Sequence, residues 1–294
     1  MAGDWSRYWR SPDRPLEAMH AHFERHVYHR HSHETYSFGF TEEGAQSFTC
    51  RGAAHTSAAG MVMVFNPDDP HDGHATDELG FTYRMLHIGP ELAADVLGEA
   101  SERRVGLPLF TEPVMHEPGL ARRLRALHEA LLGGATPLRR DELLDTVVVA
   151  MARRASVRVP EIGLSSEMVA HGQAFDASGD PGRANVGTAR IARIAREVLH
   201  DGDDQEISAS DLAAAAGRSR FAVYRSFQAA YGMAPSDYQR QLRLRTARRL
   251  LVEGHSLADI AAITGFTDQS HLTRWFTRCF GVTPGAYRRA VAMS

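Results

Sequence analysis

Histidine is the residue type that most invites a chemical reading here, because 13 of the 16 histidines precede residue 188. His31 and His33 flank Ser32, so on a β-strand both side chains would face the same side. His71 follows a Pro-bounded segment and could approach them, with Glu34, His29 or His74 as a further ligand. Imidazole and carboxylate ligands would suit zinc, nickel, iron or manganese. The alternatives are contact with an organic effector, and structural bonding to one another and to backbone carbonyls. Tyr36 and Tyr83 are expected beside His31, His33 and His71 as effector contacts, with Phe38, Phe48 and His87 lining the same cavity or serving as core. A divalent metal fits this reading without being required by it. No Ser-His-Asp, Walker or dinucleotide fingerprint occurs. No catalytic residue is therefore assigned, and the chain is expected not to be an enzyme; a metal-dependent barrel enzyme of dioxygenase or isomerase type would rest on these histidines alone.

Arginine is the second distinctive group. From residue 188 onward 15 Arg stand against 10 acidic residues, a balance of +5, whereas the first 187 residues hold 18 Arg and 26 acids, a balance of −8. A basic C-terminal segment beside an acidic N-terminal one points to a nucleic-acid partner for the former only. The basic segment also contains a repeat. Ser208-Ala-Ser-Asp-Leu-Ala-Ala-Ala-Ala-Gly217 aligns with Ser256-Leu-Ala-Asp-Ile-Ala-Ala-Ile-Thr-Gly265. Arg225-Ser-Phe227 then matches Arg274-Trp-Phe276, and Tyr231-Gly-Met-Ala-Pro235 matches Phe280-Gly-Val-Thr-Pro284, with Tyr238 and Tyr287 each three residues later. The second copy has one extra residue in its turn.

Each copy reads as helix, glycine turn, helix. Ser208 with Asp211, and Ser256 with Asp259, are expected helix N-caps. Gly217 and Gly265 end the first helices where a left-handed residue costs least. The second helices, beginning near Arg220 and Asp268, bury Val223 with Phe227 and Leu272 with Phe276 at i and i+4. Geometry then fixes the outward face: Arg220, Phe221, Tyr224 and Arg225 in the first copy, and Gln269, Ser270, Thr273 and Arg274 in the second, with His271 on its flank. Arg and Gln can read base edges bidentately, Tyr or Phe can touch a thymine methyl, and Ser or Thr more often holds phosphate. A helix from Ser236 to Glu253, carrying Arg240, Arg243, Arg245, Arg248 and Arg249, is expected to join the copies.

Other elements must position these groups. Short aromatic or β-branched runs at Thr35–Phe40, Ser47–Cys50, Met61–Phe65 and Phe81–His87, bounded by Glu43-Gly44, Arg51-Gly52 and Asn66–Pro70, predict a small barrel or sandwich over residues ~20–90. Leu120, Leu124, Leu127 and Leu131, then Leu143, Leu144, Val147, Val148 and Met151, predict two helices that either dimerise or pack on the barrel. Residues 156–187 read as a linker. The two cysteines, Cys50 and Cys279, exclude a disulfide framework. No apolar stretch approaches the roughly 18 residues of a membrane span, the N-terminus lacks a secretory pattern, and a cytoplasmic protein is expected.

On the quoted repeat, above all Gly265 through Tyr287, residues ~190–290 resemble the DNA-binding domain of the AraC/XylS family. The resemblance implies seven helices with two helix-turn-helix units, promoter binding and, often, contact with RNA polymerase. Residues 26–87 resemble the cupin-like sensing domain that precedes many such domains, on His31-Ser-His33-Glu34, Gly44, Arg51-Gly52, Gly60 and Asn66-Pro-Asp-Asp-Pro-His71. That implies a small effector in the barrel. The expected architecture is thus a cupin-like β-barrel with appended helices over 1–155, a linker over 156–187, and an all-α domain with two helix-turn-helix motifs over 188–294. The expected partners are double-stranded DNA, a small-molecule effector, a second copy of the chain as homodimer and RNA polymerase, with no membrane. An effector-free dimerisation module is the alternative for the barrel.

Overall fold

Alternating apolar and polar residues through the first ninety positions become antiparallel strands in the computed structural model, which describes residues 3–101, 106–155, 157–158, 186–202 and 207–292. They are β1 (Trp5–Arg10), β2 (Leu16–Phe23), β3 (Tyr28–His31), β4 (Tyr36–Cys50), β5 (Ala53–Ala58), β6 (Val62–Phe65), β7 (His71–Ala75) and β8 (Phe81–Ile88). Helix α1 (Pro90–Ser101), short strands β9 (Pro108–Leu109) and β10 (Val114–Met115), helices α2 (Pro118–Leu132) and α3 (Pro137–Ala152), and β11 (Val157–Arg158) follow. Nine strands form one sheet, in the order β1-β2-β8-β4-β6-β10 with β5, β7 and β3 attached beyond, while β9 pairs with β11.

The long strand β4 makes this sheet a barrel. Its first half pairs with β6 and β8, its second half with β5 and β7. The changeover lies at a register shift between Thr41 and Glu43, followed by Gly44 at φ 69°. A bulge of this kind bends a strand so that one sheet can fold over itself. The separate runs expected at Thr35–Phe40 and Ser47–Cys50 are therefore one strand. Glu43-Gly44, expected as a turn, is the bend within it.

Period-two alternation sorts the two faces. Tyr36, Phe38, Phe40, Leu86 and Ile88 look outward to α1–α3 and join one core with Leu120, Leu124, Leu127, Leu131, Val147 and Met151. Ser37 and His87 take the opposite, inner face, joined by a 2.9 Å Oγ–Nδ1 hydrogen bond. This corrects the placement of Tyr36 among the effector contacts, while Phe38 takes the core alternative. Tyr36 lies one residue out of phase with the inner face, and its hydroxyl donates to the Pro108 carbonyl at 2.8 Å. Leu120, Leu124, Leu127 and Leu131 of α2 are 0–1% exposed. They pack on the sheet of their own chain, the second of the two expected placements, so this leucine face is not free to serve as the dimer contact.

The expected linker lies outside the described residues, apart from β11 and the first two residues of the next helix. Beyond it come α4 (Val186–Asp201), α5 (Ala209–Ala216), α6 (Arg220–Tyr231), α7 (Pro235–Val252), α8 (Leu257–Ile263), α9 (Gln269–Phe280) and α10 (Pro284–Ala292). The chain divides into two compact units, with all described strands in the first and α4–α9 in the second. No helix among the described residues is long and apolar enough to cross a membrane.

The repeat holds in three dimensions. Phe227 meets Tyr231 at 4.7 Å and Tyr238 at 5.4 Å between ring centroids, while Phe276 meets Phe280 at 4.7 Å and Tyr287 at 5.7 Å. The duplication also reaches one helix further upstream than the sequence pattern indicates. Arg196 of α4 lies over Tyr231 and donates to the Tyr238 hydroxyl at 2.9 Å. Arg248 of α7 lies over Phe280 and donates to the Tyr287 hydroxyl at 3.4 Å. Helix α7 therefore closes the first copy and opens the second.

Candidate functional site

Both helix-turn-helix units are built from their caps. The Ser208 hydroxyl accepts from the Asp211 amide and the Asp211 carboxylate accepts from the Ser208 amide; the Ser256 hydroxyl accepts from the Asp259 amide. Gly217 caps α5 at φ 60°, and Gly265 follows α8 at φ 69°. Ser219 and Asp268 then cap α6 and α9. Side-chain oxygens thus satisfy amides that a helix start leaves unpaired.

With Val223, Phe227, Leu272 and Phe276 buried, the outward residues are set. Arg220, Phe221, Tyr224 and Arg225 are exposed on α6, and Gln269, Ser270 and Arg274 on α9, with Thr273 and His271 half-buried. Phe221 is 67% and Tyr224 44% exposed, among the few large apolar side chains left in water. Aromatic groups held outward beside arginines suit a groove whose edges offer both methyl groups and acceptors. Arg225 stacks over Phe221 at 4.7 Å.

His271 differs from its neighbours. Its Nε2 accepts from Trp275 Nε1 at 2.9 Å, and its Nδ1 lies 3.2 Å from the Thr267 hydroxyl, so the ring ties the turn to α9. The arginines of α7 also serve the fold, which sequence reasoning missed. Arg240 lies 3.8 Å over the Trp275 ring and pairs with Asp237 at 2.6 Å. Arg243 donates to the Gly265 carbonyl at 3.1 Å, clamping the turn of the second unit. Such cation–π and charge-assisted bonds brace one helix against another.

In the barrel, antiparallel pairing of β3 with β7 makes His31 and His71 register partners. Their ring centroids lie 4.5 Å apart, with His33 4.8 Å from His31 and 5.2 Å from His71. One ring nitrogen from each of His31, His33 and His71 lies within 4.8 Å of the others. His87 adds a fourth ring, 4.6 Å from His33. Glu34 and His74 are exposed, and neither they nor His29 joins the group among the described residues. His31 Nδ1 bonds the His29 carbonyl at 2.7 Å, and His71 Nδ1 bonds the Asp69 carbonyl at 2.8 Å. Because a carbonyl only accepts, both rings carry their proton on Nδ1. Burial pushes His31 well below the usual histidine range and His71 down to about 4. Both imidazoles are neutral at physiological pH. Phe65 stacks on His71 at 3.9 Å, and the Tyr83 hydroxyl meets that of Tyr28 at 2.7 Å, with burial holding both phenols protonated.

A second polar cluster, also missed from sequence, joins the barrel to α2. Glu42, at the bend of β4, faces Arg84 at 3.0 Å, Arg125 of α2 at 2.6 Å and His20 at 2.9 Å. His128, fully buried in α2, bonds the Met19 carbonyl through Nε2 at 2.9 Å and accepts from Arg84 through Nδ1 at 3.1 Å. Burial pushes His128 down to about 3.

Comparison with known proteins accords with both halves. Residues 15–148 match the AraC-like ligand binding domain and residues 212–290 match a helix-turn-helix domain. The HTH-type transcriptional regulator YbfI of Bacillus subtilis is 27% identical over 250 residues, covering 82% of this chain and 80% of its own. The chain thus carries the two domains of an AraC-like transcriptional regulator, the ligand-binding one ahead of the helix-turn-helix one. The transcriptional activator NphR of a Rhodococcus species is 43% identical over 101 residues, covering 34% of this chain and 29% of its own. Wild-type ToxT of Vibrio cholerae, in a structure bound to an unsaturated fatty acid, superposes with a TM-score of 0.52 at 10% identity over 100% of this chain and 98% of its own. That likeness is one of fold. An AraC-like regulator of this architecture binds DNA through its helix-turn-helix domain and carries a ligand-binding barrel ahead of it.

Proposed function

We propose that this regulator reads operator DNA with α6 and α9, through Arg220, Phe221, Tyr224 and Arg225 on one and Gln269, Ser270, Thr273 and Arg274 on the other, with His271 holding the α9 turn. The observation that carries the reading is the outward face of both helices, where arginine, glutamine and unburied aromatic rings stand over a buried apolar base. Arg225 and Arg274 are the base-reading candidates, and each good bidentate pair is worth about 1–3 kcal/mol of discrimination. Selection from random duplexes by the full chain tests this. The double variant Arg225→Ala, Arg274→Ala should lose sequence preference while keeping salt-dependent, non-specific binding. If that variant still selects the same operator, the assigned reading face is wrong.

The effector chamber in this reading is the barrel interior around His31, His33, His71 and Tyr83, with His87 beside them. The fatty acid carried by ToxT supports ligand control of this fold. The effector would shift an existing equilibrium between DNA-competent and incompetent states, in a chain divided as 1–155, 156–187 and 188–294. Homodimers would form through a surface other than the leucine face of α2. The protein acts in the cytoplasm, contacts RNA polymerase at its promoters and performs no catalysis itself.

A further inference from the structure

His31 and His71 spend Nδ1–H on carbonyls, which leaves Nε2 as the ligating nitrogen of each, and β3 and β7 place the two rings at register-paired positions with their centroids 4.5 Å apart. A ring nitrogen of His33 completes a set lying within 4.8 Å. We propose that His31, His33 and His71 bind one divalent transition-metal ion of the zinc, nickel or copper class. This rests on the reading of the barrel as a ligand chamber and names what the chamber holds.

Imidazole is the natural ligand of those ions, whereas magnesium, calcium and manganese favour oxygen, and the set contains no carboxylate. The carbonyls of His29 and Asp69 fix two of the three rings in the ligating tautomer, as a metal site requires. Phe65, stacked on His71, holds that ring's plane. At metal–nitrogen distances of about 2.1 Å a tetrahedral ion sets its nitrogens roughly 3.4 Å apart. The rings would therefore close inward by rotation, for which half-buried His33 has room. Three protein ligands leave a position open, as in exchangeable sites rather than closed structural ones. With no anionic ligand in the set, the ion keeps its full charge toward the barrel interior.

The test uses chelator-stripped full-length protein, titrated with Co²⁺ and followed by visible absorption, then competed with Zn²⁺. The expected result is one equivalent bound with the strong absorption of a four-coordinate cobalt site. His33→Gln and His71→Gln should each weaken uptake by at least roughly 100-fold, the upper end of what orienting residues alone cost. His74→Gln, an exposed neighbour on β7, should bind like the parent. Metal-free melting curves establish that the variants are folded, and half-buried His33 keeps the test valid if His71→Gln unfolds. Absence of stoichiometric uptake overturns the proposal, and so does uptake unchanged in folded His33→Gln. The titration contains no DNA, so its failure leaves the base-reading helices untouched, while loss of operator selection with cobalt uptake intact would remove the reading face alone.

Discussion

The guanidinium of Arg225 lies over the exposed ring of Phe221, one helical turn back on the outward face of α6. An arginine held this way loses less side-chain entropy on meeting a base than one waving freely in water. A cation–π contact at an exposed site is worth about 0.5–1 kcal/mol. Phe221→Leu should therefore weaken operator binding by roughly 2–5-fold in fluorescence anisotropy and cost no more than about 1 kcal/mol of stability. Parent-like affinity would mean the ring does not order Arg225.

Gly44 and Gly52 both sit at positive φ, yet they should answer substitution differently. A Cβ on Gly44 would lie 2.1 Å from the Gly80 carbonyl oxygen, whereas one on Gly52 meets nothing within 4 Å. Gly52→Ala should cost about 1 kcal/mol of backbone strain. Gly44→Ala must also force two backbones apart at the bend of β4. Its sheet unit should fail to fold, read as loss of the barrel transition in calorimetry, and a mild effect there would show that the bend can relax.

His128 sets a pH dependence. Its folded value of about 3 is below the unfolded value of roughly 6.5, so between the two the unfolded chain binds the extra proton. Stability is fully present above pH 6.5 and is lost as pH falls toward 3, by about 1.4 kcal/mol per pH unit within that window. His128→Gln should flatten this slope in urea unfolding at pH 5 and 7. An unchanged slope would place the titration elsewhere.

Tyr238 and Tyr287 are equivalent in the repeat but not in their bonding. The Tyr238 hydroxyl meets Arg196 at 2.9 Å and His200 at 2.8 Å, while the Tyr287 hydroxyl meets Arg248 at 3.4 Å. Hydrogen bonds to charged groups contribute about 1.5–3 kcal/mol when well formed. Tyr238→Phe should lower stability by that order and Tyr287→Phe by less than about 1 kcal/mol, measured by denaturant midpoint. Equal losses would contradict the asymmetry.

The helical repeat is legible in the sequence because its signals are local: caps at Ser208 and Ser256, Gly217 and Gly265, and apolar pairs four residues apart. The outward residues follow by elimination. The barrel is less so. Its strand runs are visible, but Gly44 reads as a turn in sequence, and only the backbone of Gly80 makes it a bend. Tyr36 is misplaced from sequence because aromatic residues mark a strand without saying which face is inner, and the phase is set by pairing with β8. His31 and His33 can be suspected of sharing a face from their alternation about Ser32, and His71 of approaching them because it follows Asn66-Pro-Asp-Asp-Pro70. The contacts of Arg196 with Tyr238 and of Arg240 with Trp275 join residues far apart in the chain, and no short-range pattern announces them.

Because α7 is shared by both cores, the spacing of the two readers is a property of one unbroken rod of 18 residues, about 27 Å at 1.5 Å per residue. One base pair inserted between the half-sites turns the second by roughly 35°, and a continuous helix cannot follow it. On the proposed reading, the operator must then be strict in the phase between its half-sites as well as in the bases that each reader touches, and a spacer of altered length would silence a site whose letters are all correct.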